Sequence, residues 1–191
     1  MNKVQQTLIL LVTCAVSLSS LAQTCYEQPN LLSSSTKEFI IHDDGTASHL
    51  PTGLMWKRCI EGISSNNSCN TGEVLTLNWE AALKHVAELN TAGFAGYSDW
   101  RLPNPKELTS VIEYGCSKPA MNLSVFPNML SIRVWSSTVS ENIAIERYLK
   151  TWFADYGASE VGNGSGSGTV SFENANRESQ TYAVHLVRGA Q

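Results

Sequence analysis

The most informative stretch of this 191-residue chain is Gly96–Glu107, which reads GYSDWRLPNPKE. Its end predicts the beginning of a helix, because Asn104 is a favoured N-cap residue and Pro105 suits the first helical position. Glu107 stands where a side chain reaches back to the N-cap and completes a capping box. We expect Gly115 to end this helix. Its predicted buried stripe consists of Leu108, Val111 and Ile112.

The residues just before this helix are interpreted as scaffold. Trp100 buries a large apolar area, and Leu102-Pro103 leads rigidly into the helix because proline restricts the residue before it. Asp99 and Arg101 can satisfy neighbouring backbone groups. An inward orientation is also predicted for three other tryptophans, which begin or occupy core-facing runs: Trp56, Trp79 and Trp135.

A second helix is predicted upstream, over Trp79–Asn90, with Asn78 as N-cap and Gly93 as the stop. Its apolar residues recur at the helical spacing: Trp79, Ala82, Leu83, Val86 and Leu89. His85 lies on another face of this helix. Because no cysteine, serine or carboxylate stands at a suggestive spacing from it, we interpret His85 as a solvated residue and not as a catalytic base.

Short antiparallel strands are predicted before the helix Trp79–Asn90. Phe39–Ile41 is rich in β-forming residues and stops at the turn Asp43–Gly45, and a second turn at Pro51–Gly53 precedes Leu54–Trp56. The glycines of both turns allow the chain to reverse. These segments predict a short meander.

The second half of the chain is predicted to be strand and loop. Its β-type runs are Val134-Trp135, Thr151–Phe153, Thr169–Phe172 and Tyr182–Val187. Gly162–Gly168 divides them and is predicted to be a mobile surface loop or hairpin tip. A phosphate-binding loop is excluded there, because no Lys-Ser/Thr follows and no helix starts.

The N-terminus predicts a secretory signal peptide. Lys3 is the only charge before the apolar run Leu8–Val16, which leads to the small-x-small site Ser20–Ala22. A retained membrane span is disfavoured, because the run is much shorter than the ~20 residues that a bilayer requires. Lipoprotein processing at Cys14 conflicts with the size of Thr13 and with the continuation of the apolar run.

We therefore divide the chain into a signal peptide (1–22), a flexible lead-in (23–38) and a single domain (39–191). With 42% hydrophobic and 16% charged residues, the composition is that of a folded domain. The net charge of −4 becomes −5 once Lys3 is removed. This net negative charge argues against binding to nucleic acid or anionic lipid through a broad positively charged surface.

Signal cleavage would leave four of the five cysteines, an even number that suggests two disulfides in an oxidising compartment. Three pairings are possible. Cys59 with Cys69 is favoured because they flank a short polar loop, and Cys25 with Cys116 follows by elimination. A zinc site is disfavoured because paired CxxC spacings and nearby histidines are missing.

Five strings, in this order along the chain, resemble the Lcl C-terminal domain family, which is named after the C-terminal domain of a bacterial collagen-like surface adhesin. The strings are Gly53–Cys59 (GLMWKRC), Asn78–Ala82 (NWEAA), Gly96–Asn104 (GYSDWRLPN), Val134–Thr138 (VWSST) and Leu186–Gly189 (LVRG). The resemblance covers about residues 39–190.

This resemblance implies an α+β domain with a C-type-lectin-like arrangement, in which two helices pack on short, twisted antiparallel strands. The resemblance further implies that this arrangement is related in outline to the fold of formylglycine-generating enzymes. It also implies an exported bacterial protein that adheres through glycans, notably sulfated polysaccharides, often as a trimer.

Several departures from the family limit what the resemblance implies. The chain has no Gly-x-y collagen stalk. It has His49 where the family often has Asp, and His185 where the family often has Arg, which weakens the case for sulfate recognition. The Glu-Pro-Asn and Trp-Asn-Asp signatures of calcium-dependent lectins are missing. The reactive late cysteines of formylglycine-generating enzymes are missing too, because no cysteine follows Cys116.

The candidate ligand-binding residues lie beside the Gly-rich loop. Trp152 and Tyr156 could stack on a sugar ring, while Asn163, Asn176 and Arg177 could supply hydrogen bonds. For Trp152 the alternative of core burial stays open and is favoured. The chain has no Gly-x-Ser-x-Gly elbow, and its mature cysteines are better used as disulfides. We therefore predict no catalytic residue, metal or cofactor.

The sequence as a whole favours an exported, non-catalytic module that binds an extracellular glycan or a surface protein, either alone or as a homo-oligomer. We expect it in the periplasm, at the cell surface or outside the cell. Two alternatives remain open. One is an exported hydrolase of polysaccharides, whose paired carboxylates need leave no sequence spacing. The other is a structural subunit of an envelope or pilus-like assembly.

Overall fold

The computed structural model describes residues 23–25, 33–64, 68–139, 150–157, 169–176 and 179–189. These residues form a mixed structure of mostly strands with two α-helices, as expected for an α+β class. The strands are β1 Thr24–Cys25, β2 Phe39–Ile41, β3 Thr46–His49, β4 Leu54–Lys57, β5 Thr76–Leu77, β6 Cys116–Ser117, β7 Arg133–Val139, β8 Lys150–Asp155, β9 Thr169–Asn176, β10 Tyr182–Ala183 and β11 Val187–Gly189. The helices are α1 Trp79–Ala92 and α2 Pro105–Thr109.

The predicted meander is confirmed. Strands β2, β3 and β4 pair antiparallel in sequence order, and β11 adds to β4 to give a four-stranded sheet. Both turns use glycine at a positive φ, 86° at Gly45 and 62° at Gly53, a conformation that glycine adopts without steric cost. Strand β2 is left at the edge of the sheet.

A second sheet has the strand order β5-β10-β7-β8-β9. The predicted continuous strand Tyr182–Val187 is wrong, because β10 belongs to this sheet while β11 belongs to the first. The residues between them, Val184–Leu186, cross from one sheet to the other and are fully buried. Val184 and Leu186 are apolar because this crossing segment is buried, and not because it forms part of a strand.

Helix α1 begins where the sequence predicts and has the predicted Asn78 and Gly93 as its caps. The Asn78 side chain accepts a hydrogen bond from the Ala81 N–H at 2.8 Å, and the Gly93 N–H donates to the Leu89 carbonyl at 2.8 Å. The helix runs to Ala92, two residues beyond the predicted end. Of the predicted apolar stripe, Leu83 is exposed.

Helix α2 has the predicted capping box between Asn104 and Glu107. It ends at Thr109, however, and not before Gly115 as predicted. The Ser110 hydroxyl donates to the Glu107 carbonyl at 2.7 Å, a local hydrogen bond that competes with helix continuation. The predicted stripe is nonetheless buried. After the helix the chain continues in tighter turns, in which the N–H groups of Val111 and Ile112 bond to carbonyls three residues earlier.

The core forms two large clusters of buried residues. One gathers Trp56 and Phe126 with apolar residues of both sheets, and the other gathers Trp100 and Trp135 under α1. The inward predictions for Trp56, Trp100 and Trp135 are confirmed, while Trp79 is half-buried and donates its indole N–H to the Ser136 carbonyl.

The described part of the predicted lead-in is attached to the domain. Strand β1 pairs with β6 and carries the disulfide Cys25–Cys116, and the second predicted disulfide, Cys59–Cys69, is also present. Further along, the buried Glu113 carboxylate accepts hydrogen bonds from the Ser33 and Ser34 N–H groups at 3.0 and 2.9 Å. These contacts attach Ser33 and Ser34 to the segment between α2 and β6, and the division into lead-in and domain stays a prediction.

Candidate functional site

The structure describes three of the five predicted ligand-binding residues, Trp152, Tyr156 and Asn176, and Tyr156 lies apart from the other two. Trp152 is half-buried on β8, and Tyr156 follows that strand on the same face, about 13 Å further along at 3.3 Å per residue. Asn176 ends β9 opposite Lys150, so its backbone lies beside the Trp152 end of β8. Asn163 and Arg177 lie outside the described residues, as do the Gly-rich loop and the signal peptide.

Trp152 occupies an irregular part of the sheet. Between Thr151 and Phe153, which flank it, β7 and β9 each contribute three residues opposite this single one. Such β-bulges bend a strand and often re-aim side chains next to functional sites. This geometry is compatible with the predicted role of Trp152, which stays a prediction.

The prediction that Tyr156 contacts a ligand is wrong, because its side chain is 0% exposed. Its hydroxyl lies 3.0 Å from His185 Nδ1, and His185 Nε2 lies 2.8 Å from the Lys57 carbonyl oxygen. A carbonyl can only accept, so Nε2 carries the proton and the Tyr156 hydroxyl donates to Nδ1. Burial raises the pKa of Tyr156, which keeps the hydroxyl protonated.

His185 is thus an interior residue that joins strands of the two sheets. Its ring lies 5.0 Å from that of Trp56 and 5.4 Å from that of Phe126. Burial lowers the pKa of His185 to about 4, and a hydrogen bond to the Lys57 carbonyl only partly offsets this. The histidine is neutral at physiological pH and presents no cation to a ligand.

We expect the free energy of unfolding to fall in acid because of His185. Its folded pKa of about 4 lies below the ordinary 6.5, so the unfolded chain binds the proton first. The contribution is about 3 kcal/mol and fully present above pH 6.5, declines as the pH falls, and is completely lost below about pH 4. Urea unfolding of the wild type and His185→Gln across this range checks it: the variant should show the shallower decline, and parallel curves would refute the assignment.

A second cluster of polar side chains consists of the buried Lys57 and Glu61 and the partly exposed His85. Lys57 Nζ lies 2.6 Å from Glu61 Oε1, and His85 Nε2 lies 2.8 Å from Glu61 Oε2. Burial raises the pKa of Glu61, but the hydrogen bond from His85 and the charge of Lys57 outweigh it and leave the pKa lowered. The ammonium group of Lys57 also lies 4.4 Å from the centre of the Phe94 ring.

The prediction that His85 is merely solvated is therefore wrong. Sequence spacing could not reveal its carboxylate partner, because Glu61 is 24 positions away and approaches only after the loop that follows β4 folds under α1. The imidazole is partly exposed, while the carboxylate and ammonium groups behind it are buried. The arrangement pairs charges across two elements.

The residues from Asp99 to Arg101 have contacts that fit the scaffold interpretation. The Trp100 indole N–H donates to the Phe94 carbonyl at 3.0 Å, and Arg101 makes two hydrogen bonds to the Glu107 carboxylate at 2.7 and 2.6 Å. Asp99 accepts from the buried Arg188, and this hydrogen bond lowers the pKa of Asp99. The Arg188 guanidinium lies 3.7 Å from the centre of the Tyr97 ring.

Four residues that the sequence did not single out form a charged and aromatic surface, the Arg133 patch: Arg133, Phe153, Asp155 and Tyr182. The Arg133 side chain is 47% exposed, and its Nε donates to Asp155 Oδ2 at 3.0 Å. Its guanidinium lies 5.2 Å from the centre of the buried Phe153 ring and 6.0 Å from that of the half-buried Tyr182 ring. The hydrogen bond to Asp155 raises the pKa of Arg133 against the opposing effect of burial, and the charge of the same carboxylate adds to this increase.

The fold of the second sheet assembles this patch. Register places Arg133 opposite Asp155 and Trp135 opposite Phe153 on adjacent strands, and the Tyr182 ring lies 4.5 Å from the Trp135 ring and 5.0 Å from the Phe153 ring. Only the strand register could have revealed the patch, since its members come from three separate segments.

Within the described ranges, no three His, Cys, Asp or Glu side chains come close enough together to hold a metal ion. A search of the same residues finds no helix with the length and apolar character needed to cross a bilayer.

A family model described as the Lcl C-terminal domain matches residues 45–188. The match begins at the first turn of the meander and ends within β11, and it includes the Arg133 patch. Comparison with curated proteins gives no match, and neither does comparison with solved structures.

Proposed function

Since this chain belongs to the Lcl C-terminal domain family, we propose that it is an exported, non-catalytic module that binds a glycan outside the cytoplasm. The proposal includes a C-type-lectin-like arrangement of its two helices and short strands. Two disulfides support export, because such bonds persist in oxidising compartments. The periplasm, the cell surface and the extracellular medium all satisfy this condition.

The Arg133 patch is the observation that carries the proposal. An exposed guanidinium, a partly exposed carboxylate and an aromatic side chain adjoin one another there. The carboxylate accepts hydrogen bonds from sugar hydroxyls, and the guanidinium donates to them. The apolar face of a sugar ring packs on aromatic side chains, whose polar tips add hydrogen bonds. We place the glycan on this surface, with Trp152 as a separate candidate contact.

The use of the interior polar groups supports a binding role over a catalytic one. Glu113 holds backbone N–H groups, Glu61 pairs with Lys57 and His85, and His185 bridges Tyr156 and the Lys57 carbonyl. Each of these groups has a structural partner, which accounts for its burial without a catalytic role. The hydrolase alternative stays a prediction, and release of reducing ends from polysaccharide would test it.

A glycan array tests the proposed function. We expect the wild type to bind at least one glycan, and Arg133→Gln to weaken that binding by about tenfold or more, because hydrogen bonds to a charged group contribute about 1.5–3 kcal/mol. Arg101→Gln is the matched control, since Arg101 is also an exposed arginine paired with a carboxylate but belongs to the α2 cap. An equal effect of both substitutions would contradict a site at Arg133.

A structural subunit of an envelope assembly is the second candidate function, and the edge strand β2 favours it. Ile40 and Ile41 on that strand are 49% and 42% exposed, and Leu50 nearby is also exposed. An apolar edge strand is a template for pairing with another chain. Light scattering of purified protein distinguishes the candidates: self-association that Ile40→Lys abolishes, without any glycan binding, would favour the subunit.

A further inference from the structure

Resting on the proposed glycan-binding function, we propose that the Arg133 patch takes a neutral, hydroxyl-rich saccharide and not a sulfated or carboxylated one. The carboxylate of Asp155, held directly beside the arginine, is what decides between the two classes.

Asp155 is fixed in place by two contacts. Its Oδ2 accepts from Arg133 Nε at 3.0 Å, and its Oδ1 accepts from the Gly157 N–H at 2.8 Å. Glycine at position 157 leaves room for this geometry, because a Cβ there would lie 3.2 Å from Asp155 Oδ1 and 3.1 Å from Ser131 Cβ and would require these neighbours to shift. The carboxylate therefore stays beside the guanidinium, and its side chain remains 25% exposed.

An anionic group that approaches Arg133 must also approach this carboxylate. Two like charges about 4 Å apart repel, because neither water nor the protein surface screens them completely at that distance. A hydroxyl meets no such repulsion, because it can donate to the carboxylate and accept from the guanidinium at the same time. Neighbouring hydroxyls of a neutral sugar match the adjacent acceptor and donors.

The net charge of the chain and the aromatic residues of the patch also favour a neutral saccharide. The chain carries a net charge of −4, so its overall field does not attract polyanions. The aromatic part of the patch also favours a ring with an apolar face: Tyr182 is half-buried and rests on Trp135, which fixes its orientation. The sulfated ligands implied by the family resemblance would need a cluster of unopposed cations instead.

The substitutions that test the inference should leave the fold intact. An ion pair at the surface contributes little to stability, so neither Asp155→Asn nor Arg133→Gln should unfold the domain. Asp43→Asn is the matched control, because it makes the same change of charge at an exposed carboxylate in the turn between β2 and β3. Thermal unfolding of each variant checks that it is folded before binding is measured.

The experiment applies the wild type, Asp155→Asn and Asp43→Asn to an array that carries neutral, carboxylated and sulfated glycans, at low and high salt. We expect the wild type to bind neutral glycans with little dependence on salt. Asp155→Asn should weaken this binding by about tenfold or more, while Asp43→Asn leaves it unchanged.

Binding to sulfated or carboxylated glycans that weakens with salt and strengthens in Asp155→Asn would overturn the inference but leave the glycan-binding function standing. Equal binding of neutral glycans by the wild type and Asp155→Asn would also overturn the inference. If the wild type bound no glycan of any class, the proposed function itself would fail.

Discussion

Replacing Cys25 and Cys116 together by serine is expected to lower the free energy of unfolding by about 4–5 kcal/mol. The two cysteines are 91 residues apart, and in the chain-entropy model a cross-link that closes so long a loop removes much of the freedom of the unfolded chain. The same bond joins β1 to β6 and so attaches the segment around Cys25 to the rest of the domain. Denaturant unfolding without reductant measures the loss.

The other disulfide provides the control. Cys59 and Cys69 are only 10 residues apart, so the same model predicts a loss of about 2–3 kcal/mol when both become serine. The long-range pair should therefore have the larger effect. If the double substitution at Cys59 and Cys69 cost more, loop closure would not explain how these bonds stabilise the domain.

Glu61→Gln is expected to destabilise the protein by about 3–5 kcal/mol at neutral pH. The substitution leaves the buried ammonium of Lys57 without the carboxylate that lies 2.6 Å from it, and an uncompensated buried charge carries a penalty of this size. It also removes the charged partner of His85. Chemical denaturation gives the free energy of unfolding directly.

A double substitution separates the lost pairing from a simple packing defect. Lys57→Met with Glu61→Gln removes both charges, so we expect it to recover at least half of the stability that Glu61→Gln loses. If the double variant were as unstable as the sum of the single ones, the two side chains would not be energetically coupled.

Local features of this fold could be predicted from the sequence because neighbouring residues determine them. The Asn104–Glu107 capping box, the Asn78 cap and the turns at Gly45 and Gly53 depend on side chains within a few positions of one another. The disulfides could also be predicted, because four cysteines allow few pairings and a short polar loop favours one of them.

Features that depend on tertiary contact could not be predicted in this way. Tyr156 looked like a sugar-stacking residue, but its partner His185 reaches it only after the chain crosses between the sheets. His85 likewise acquires Glu61 from another element, and Arg133 meets Asp155 through strand register. In each case the decisive contact spans more than 20 positions.

Amide chemical-shift mapping tests the location of the binding surface most directly. Isotopically labelled protein is titrated with a neutral glycan selected on the array, and the perturbed backbone amides are assigned. Binding at the Arg133 patch predicts the largest changes at Arg133, Asp155 and Tyr182. Changes concentrated at β2, or around Glu61 and His85, with these three amides unmoved, would contradict it.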